Sequence, residues 1–181
     1  MRIGDLLYFA PGIRFDQVDL VGPELPSQFR HRITGFYIDP AEACANLGHA
    51  FAAGVLLVSA IDALARIRFR GGVGARFRRF AREELQSFPD DDLAERFYDE
   101  FRNGLVHEAR LKNGGQFSLG VAETVVLLGG LLLINPRCLA DEVRTALDSY
   151  IALLQHDAGE LGKLATRLKQ DLAEDLRAAR E

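Results

Sequence analysis

The stretch FYDEFRNGLVHE, residues 97–108, decides both how this chain folds and where its chemistry sits. Leu93, Phe97, Phe101 and Leu105 recur every four residues, which at 100° per residue is one apolar stripe along a helix. Asp90-Asp91-Asp92 stands just ahead, three acids where a helix N-terminus is electropositive. On the same wheel Asp92, Arg96, Asp99, Asn103 and His107 fall opposite the stripe or on its flank, so His107 is expected to point away from its own core. Asn103 and His107 are four apart and share a face, whereas Arg102 sits one step round and must bend back to join them. Gly104 is expected to leave room beside the three.

Working outward, Val73 to Phe88 repeats Phe77, Phe80, Ala81 and Leu85 at helical spacing and closes at Pro89. Asp39-Pro40-Ala41-Glu42 combines a capping acid, a proline tolerated at the first helical position and a glutamate able to reach back, and predicts one long helix ending at Gly71-Gly72. Its nearly all-round apolar character from Ala50 to Ala65 marks the central, buried helix. Upstream, Pro11, Pro23 and Pro26 with Gly4, Gly12 and Gly22 predict extended pieces around Leu6 to Phe9 and Ile13 to Val18, then a short helix capped by Ser27 and ended by Pro40. Downstream, the turn signals Asn113-Gly114-Gly115 and Gly129-Gly130 separate the runs Phe117 to Leu119, Thr124 to Leu128 and Leu131 to Ile134, which predicts a small antiparallel β insertion after the motif helix. Pro136 opens a further helix carrying Leu139, Val143, Leu147, Tyr150, Ile151 and Leu154, and a charged, leucine-spaced tail follows. The expectation is a mainly α single domain, residues 1–181, with an N-terminal extension over 1–39, a core over 40–157 and a helical tail over 158–181.

Composition narrows the partners. The 181 residues are 48% hydrophobic, enough for one real core, and the formal charge of -4 gives the molecule no bulk attraction to nucleic acid or an anionic membrane. RNA contact therefore requires a local patch. Cys44 and Cys138 stand apart with no zinc-ligand spacing, so reduced thiols, no metal and no cofactor are expected. Met1-Arg2-Ile3-Gly4-Asp5 lacks the pattern of a secretion signal, and the apolar runs Ala50 to Ile61 and Thr124 to Ile134 are too short to cross a bilayer, which predicts a cytoplasmic chain with no membrane contact.

Arginine, an amide and histidine on one exposed helix face make a phosphodiester site. Metal-free RNA cleavage needs a base for the 2′-hydroxyl proton, a cation for the charge growing on the phosphorus oxygens and an acid for the leaving 5′-oxygen. Histidine titrates near neutrality and suits the first or last role; arginine suits the second and keeps its charge. One copy supplies one histidine, so the chemistry favours an isologous homodimer that apposes two. Against this, a bare Arg-x4-His spacing is common by chance and an isolated surface histidine is usually just solvated.

The stretch 97–108 resembles the catalytic helix of the HEPN superfamily, whose signature is Arg, a polar residue, three variable positions and His. The order of elements from Pro40 to Leu154 is also similar: a long apolar helix carrying Ile61-Asp62-Ala63-Leu64, a basic-aromatic helix, the motif helix and a closing helix. The resemblance implies an all-α bundle, a homodimer with both motifs lining one cleft, and often a metal-independent endoribonuclease of toxin, antiviral or RNA-processing systems, partnered by an antitoxin or effector. Carried onto this chain, it makes Arg102 the phosphate-stabilising group, His107 the base or acid and Asn103 their orienting residue. Inactive members exist too, which implies the alternative of a silent domain that holds RNA, a nucleotide or a protein partner. The β insertion and the N-terminal extension depart from the family's minimal pattern.

Two further features bear on such a site. Asp62 is the one acid in the apolar run, and a buried charge normally has a partner; it pairs either with Arg102 or His107 across the bundle or with Arg66 or another surface arginine one turn on. Arg66, Arg68, Arg70, Arg76, Arg78, Arg79 and Arg82 form a block with no acid from Ala63 to Ala81, interleaved with Phe69, Phe77 and Phe80, and are the candidate RNA track, extended by Arg110 and Lys112. The competing reading is a solvated face neutralised by Asp90 to Asp92 and Glu95. The tail from Glu160 to Arg180 offers a third possibility, a helix awaiting a partner helix.

Overall fold

The computed structural model of the chain describes residues 2–3, 6–108 and 110–178, and their side chains except at 2, 3, 106, 107, 175, 176 and 178. In chain order the elements are β1 (Arg2–Ile3), β2 (Leu6–Ala10), β3 (Ile13–Arg14), a 3₁₀ turn (Phe15–Gln17), α1 (Leu25–Ile33), a π-helical turn (Thr34–Ile38), α2 (Asp39–Asn46), α3 (Ala50–Arg68), α4 (Val73–Glu84) and α5 (Asp91–Arg96). A π-helical segment, Phe97–Glu108, follows and is here the motif helix; β4 (Gln116–Phe117), β5 (Val125–Leu128), β6 (Leu131–Ile134), α6 (Pro136–His156), α7 (Ala158–Asp171) and α8 (Ala173–Ala178) complete the chain. The protein is mainly α-helical. By contacts it divides into two compact units, 1–36 with 147–181, and 37–146, so that α6 runs from one into the other.

In the first unit, β1, β2 and β3 form an antiparallel meander with a bulge between Tyr8 and Ala10. Extended structure after Gly12 stops at Arg14, where the 3₁₀ turn begins, so the expected run to Val18 is shorter than its composition suggested. Helix α1 begins at Leu25 with Pro26 in its first turn, and Ser27 lies inside it, its hydroxyl donating to the Glu24 carbonyl, rather than capping it. Phe29 and Tyr150 meet edge to face at 6.3 Å. Leu164, Ala165 and Leu168 bury the apolar face of α7, so α7 is covered along that face and does not await a partner helix there.

The path from α1 to α3 differs from the expectation in an instructive way. Pro40 does not end a helix: α1 winds through the π turn into α2, and Ile38, at φ -71 and ψ -52, is still helical. Instead the break falls after Asn46. The amide of His49 donates to the Cys44 carbonyl at 2.8 Å and that of Gly48 to Ala45 at 3.1 Å, with Gly48 at φ 83, which is a Schellman ending built on the one residue type free of a Cβ penalty there. A fresh helix then starts at Ala50 and runs past Asp62 to Arg68, so α3 is by length and composition long enough to cross a membrane, unlike the shorter run read from the sequence. Ala53, Leu57, Ala60, Ile61, Leu64 and Ala65 are buried, and α3 packs chiefly against α2 and α4, as the core helix of the second unit.

Helix α4 ends at Glu84, four residues before Phe88; Leu85 is extended and a turn at Gln86 and Ser87 follows, and Phe88 is buried in the core. The acids after Pro89 start α5 as expected: Asp90 caps it by accepting from the Leu93 amide at 2.8 Å. The β insertion is mixed, not purely antiparallel. β5 and β6 form the Gly129-Gly130 hairpin, but β4 joins the other edge of β6 in parallel, Phe117 opposite Ile134. Phe117 is drawn there by Gly54 of α3, whose missing side chain makes the space the ring occupies. Glu142 of α6 ties the surroundings together, accepting from the amide and hydroxyl of Ser87 and, at 2.5 Å, from the hydroxyl of Thr124.

Candidate functional site

The motif helix is shaped by aromatic packing. Phe97 stacks on Phe88 at 4.4 Å, meets Phe77 at 5.2 Å and Phe101 at 5.7 Å, and Phe101 meets Phe117 at 5.0 Å. Such pairs contribute about 0.5–1.5 kcal/mol each beyond simple burial. Among the described side chains the buried positions are Ala94, Phe97, Glu100, Phe101 and Gly104, while Leu93 and Leu105, expected in the same stripe, lie half-buried at its edges. The segment is wound with i→i+5 hydrogen bonding over Phe97–Glu108, a geometry that is rare and concentrates at functional sites. In that winding positions 102 and 107 lie a little more than one turn apart along the backbone. The His107 side chain lies outside the described residues.

Arg102 reaches back across the unit. Its Nη2 donates to Asp62 Oδ2 at 3.1 Å, and its guanidinium carbon stands 6.0 Å from the Tyr98 ring centroid. The side chain is 13% exposed against 33% for Asp62, so the pair is largely desolvated on the arginine side. Its Nε is buried without an acceptor. Of the partners proposed for Asp62, Arg102 is thus one that it contacts. Asn103 sends its amide nitrogen toward Asp99 Oδ1 at 3.5 Å, a weak contact on the far side of one turn.

Gly104 does not leave an open space. A Cβ there would sit 2.4 Å from the Arg110 carbonyl oxygen, because the chain leaving the motif helix folds back over it: the Arg110 amide donates to Gly104 and the Lys112 amide to Glu100. Glycine is needed for that close approach of backbone to backbone. Lys112 Nζ lies 3.2 Å from Glu108 and 3.3 Å from Asp99, and Arg110 pairs with Glu108 at 2.6 Å. The hydrogen bond to Glu108 is the main cause that raises the Lys112 amine above its ordinary range, with Asp99 adding to it and desolvation opposing. Both expected phosphate contacts are therefore held by acids of the motif helix itself.

The basic block is also substantially paired. Arg68 bonds Glu84 at 2.7 Å, Arg78 bonds Glu95 at 2.6 Å, Arg79 bonds Glu83 at 2.9 Å and Arg82 bonds Asp91 at 2.7 Å. Arg78, Arg79 and Arg82 line an open depression of about 380 Å³ whose remaining wall includes Asp91 and Glu95. Arg66 and Arg70 are exposed, and Arg70 has no ion pair among the described residues; Arg76 is half-buried with its Nε lacking an acceptor. Neutralisation by Asp91 and Glu95 is what the competing reading of this face anticipated; Glu83 and Glu84, on α4 itself, were outside it.

Two residues escaped the sequence reading. Tyr98, one turn before Arg102, sits under two guanidinia, and Glu100, 3% exposed, bonds Arg96 at 2.7 Å with its other oxygen unpartnered. An aromatic one turn from the candidate arginine was the available signal for the first; the sequence carries none for the burial of an acid inside the motif. Both cysteines are free and half-buried, and burial pushes the Cys138 thiol up. Among the described residues no cluster of histidine, cysteine and carboxylate side chains could hold a metal ion. Comparison with family models, curated proteins and solved structures finds no match to this chain.

Proposed function

We propose that the segment from Pro40 to Leu154 is a HEPN-like domain and that two copies of the chain form a metal-independent endoribonuclease acting in the cytoplasm, in a toxin or defence setting. The observation that carries the reading is Arg102: a permanently charged guanidinium, held by Asp62 and retaining an unused Nε donor, on the helix that also bears Asn103 and His107. In the proposed reaction the substrate 2′-hydroxyl attacks phosphorus, His107 of one copy takes its proton, and His107 of the second copy protonates the departing 5′-oxygen as the P–O bond breaks. The product ends are a 2′,3′-cyclic phosphate and a 5′-hydroxyl. Arg102 stabilises the charge that develops on the equatorial oxygens, and Asn103 orients Arg102 and His107.

The test is incubation of the purified chain with single-stranded RNA in EDTA. Cyclic phosphate ends that disappear in His107→Ala support the assignment; equal cleavage by the variant overturns it. The depth of Arg102 and its engagement by Asp62 favour one second reading, a silent domain whose cleft binds RNA, a nucleotide or a partner without scission. Binding that depends on Arg102 in the absence of any cleavage selects that reading.

A further inference from the structure

The ring of Tyr98 is approached by two guanidinia from different elements: Arg78 of α4, 5.4 Å from the centroid, and Arg102 of the motif helix, 6.0 Å away. Each arginine is tethered through a single terminal nitrogen, Nη1 of Arg78 to Glu95 and Nη2 of Arg102 to Asp62. A guanidinium has five N–H donors, so both keep donors to spare, and the Arg102 Nε is buried with none of its need met. The Tyr98 hydroxyl lies against Gly74, where a Cβ would stand 3.0 Å from it, and has no hydrogen-bond partner among the described residues. Phe77 fixes the ring from α4 at 5.8 Å. The result is a place with more donors than acceptors, where the ring quadrupole lets two like charges stand near each other.

We propose that Arg78, Tyr98 and Arg102 form one subsite for a single-stranded RNA backbone, in which the two guanidinia take neighbouring phosphates and Tyr98 sets their spacing and donates its hydroxyl to the strand. This rests on the reading of the motif as an RNA site and adds to it the residue that joins the motif to α4. Phosphodiester oxygens are pure acceptors and match the donor surplus.

The experiment measures binding of the full chain to a 2′-O-methylated single-stranded RNA, which has no hydroxyl for attack, by fluorescence anisotropy over a series of salt concentrations. Arg78→Gln is expected to weaken binding about five- to tenfold and to flatten the dependence of log K on log salt by about one contact's worth. Tyr98→Leu is expected to lose about five- to tenfold, on the scale of one aromatic contact to a strand, and Tyr98→Phe about two- to threefold. Arg78→Gln and Tyr98→Phe remove no buried packing, so they carry the test should Tyr98→Leu unfold. Affinity and salt dependence unchanged in both overturn the subsite, even if the wild-type chain cleaves RNA. Loss of affinity in a chain that never cleaves supports the subsite and removes the nuclease. No RNA binding by the wild-type chain, or preference for an acidic peptide, overturns both.

Discussion

Arg102, on the motif helix, and Asp62, midway along α3, are joined by a 3.1 Å ion pair across forty residues of sequence. Each is set by a different periodicity, and the pair locks the face of one helix to the face of the other. Asp62→Asn removes the negative charge and leaves a guanidinium that is 13% exposed without it. The expected loss is about 1–3 kcal/mol, less than for a fully buried pair because Asp62 is partly solvated. Chemical denaturation of Asp62→Asn, Arg102→Gln and the double variant gives the coupling; strict additivity would show that the two side chains do not support each other.

Gly104→Ala sets two effects against each other. Replacing a helical glycine by alanine gains roughly 0.5–1 kcal/mol, but forcing a Cβ to within 2.4 Å of the Arg110 carbonyl displaces the returning chain, at about 1–3 kcal/mol. The clash is with backbone and should win. A lowered melting temperature and faster proteolysis near residues 110–115 are expected, whereas Gly120→Ala, where the nearest atom is 3.6 Å away, should stay within about 0.5 kcal/mol of wild type.

The pH behaviour of the returning chain follows from Lys112. Its amine is raised above the ordinary 10.5, so the folded form holds the proton more tightly than the unfolded form. The contribution to stability is accordingly complete below the unfolded value and fades as pH rises through the higher folded one. No change in docking of the loop through Lys112 is expected between neutral pH and the ordinary lysine range. Because acylation needs the free amine, Glu108→Gln, which removes the largest cause of the shift, should speed the reaction of Lys112 with an acylating reagent. Equal rates at Lys112 in the variant and the wild type, read by mass spectrometry, would count against the clamp.

Glu142 accepts three hydrogen bonds, from the Ser87 amide at 3.1 Å, the Ser87 hydroxyl at 2.6 Å and the Thr124 hydroxyl at 2.5 Å. Glu142→Ala strands all three donors and is expected to cost about 2–4 kcal/mol, since hydrogen bonds to a charged acceptor contribute about 1.5–3 kcal/mol each but part of the site is open to water. Glu142→Gln keeps one acceptor oxygen and should cost less than half of that. A thermal melt that ranks the two the other way would refute this account.

What the sequence made legible was local. The Asp90 cap, the Phe97 and Phe101 stripe and the Gly129-Gly130 hairpin each depend on neighbours a few residues away, and each stands where its pattern indicated. The Asn46-Leu47-Gly48 stop was present in the letters too, but the apolar run after it masked it as helix interior. Other features needed contacts between distant segments. The parallel pairing of β4 with β6 depends on Phe117 finding the gap at Gly54; the closeness of Arg110 to Gly104 depends on a chain reversal; the packing of the motif helix depends on rings from Phe77, Phe88 and Phe117. At the candidate site, the composition of the arginine block was plain from the sequence. Its pairing was half visible in Asp91 and Glu95, and Tyr98 was outside the reading altogether.

A helix that closes its bonds five residues on, as Phe97–Glu108 does, makes segment length a constraint of its own. Removing a single residue inside it ahead of Arg102 would relax the coil toward ordinary winding and swing everything beyond the cut to a new bearing, Arg102 and the returning chain included. Point exchanges on its wet side are local events by comparison. Among descendants of this chain, gaps should therefore avoid this dozen residues far more strictly than spelling changes do.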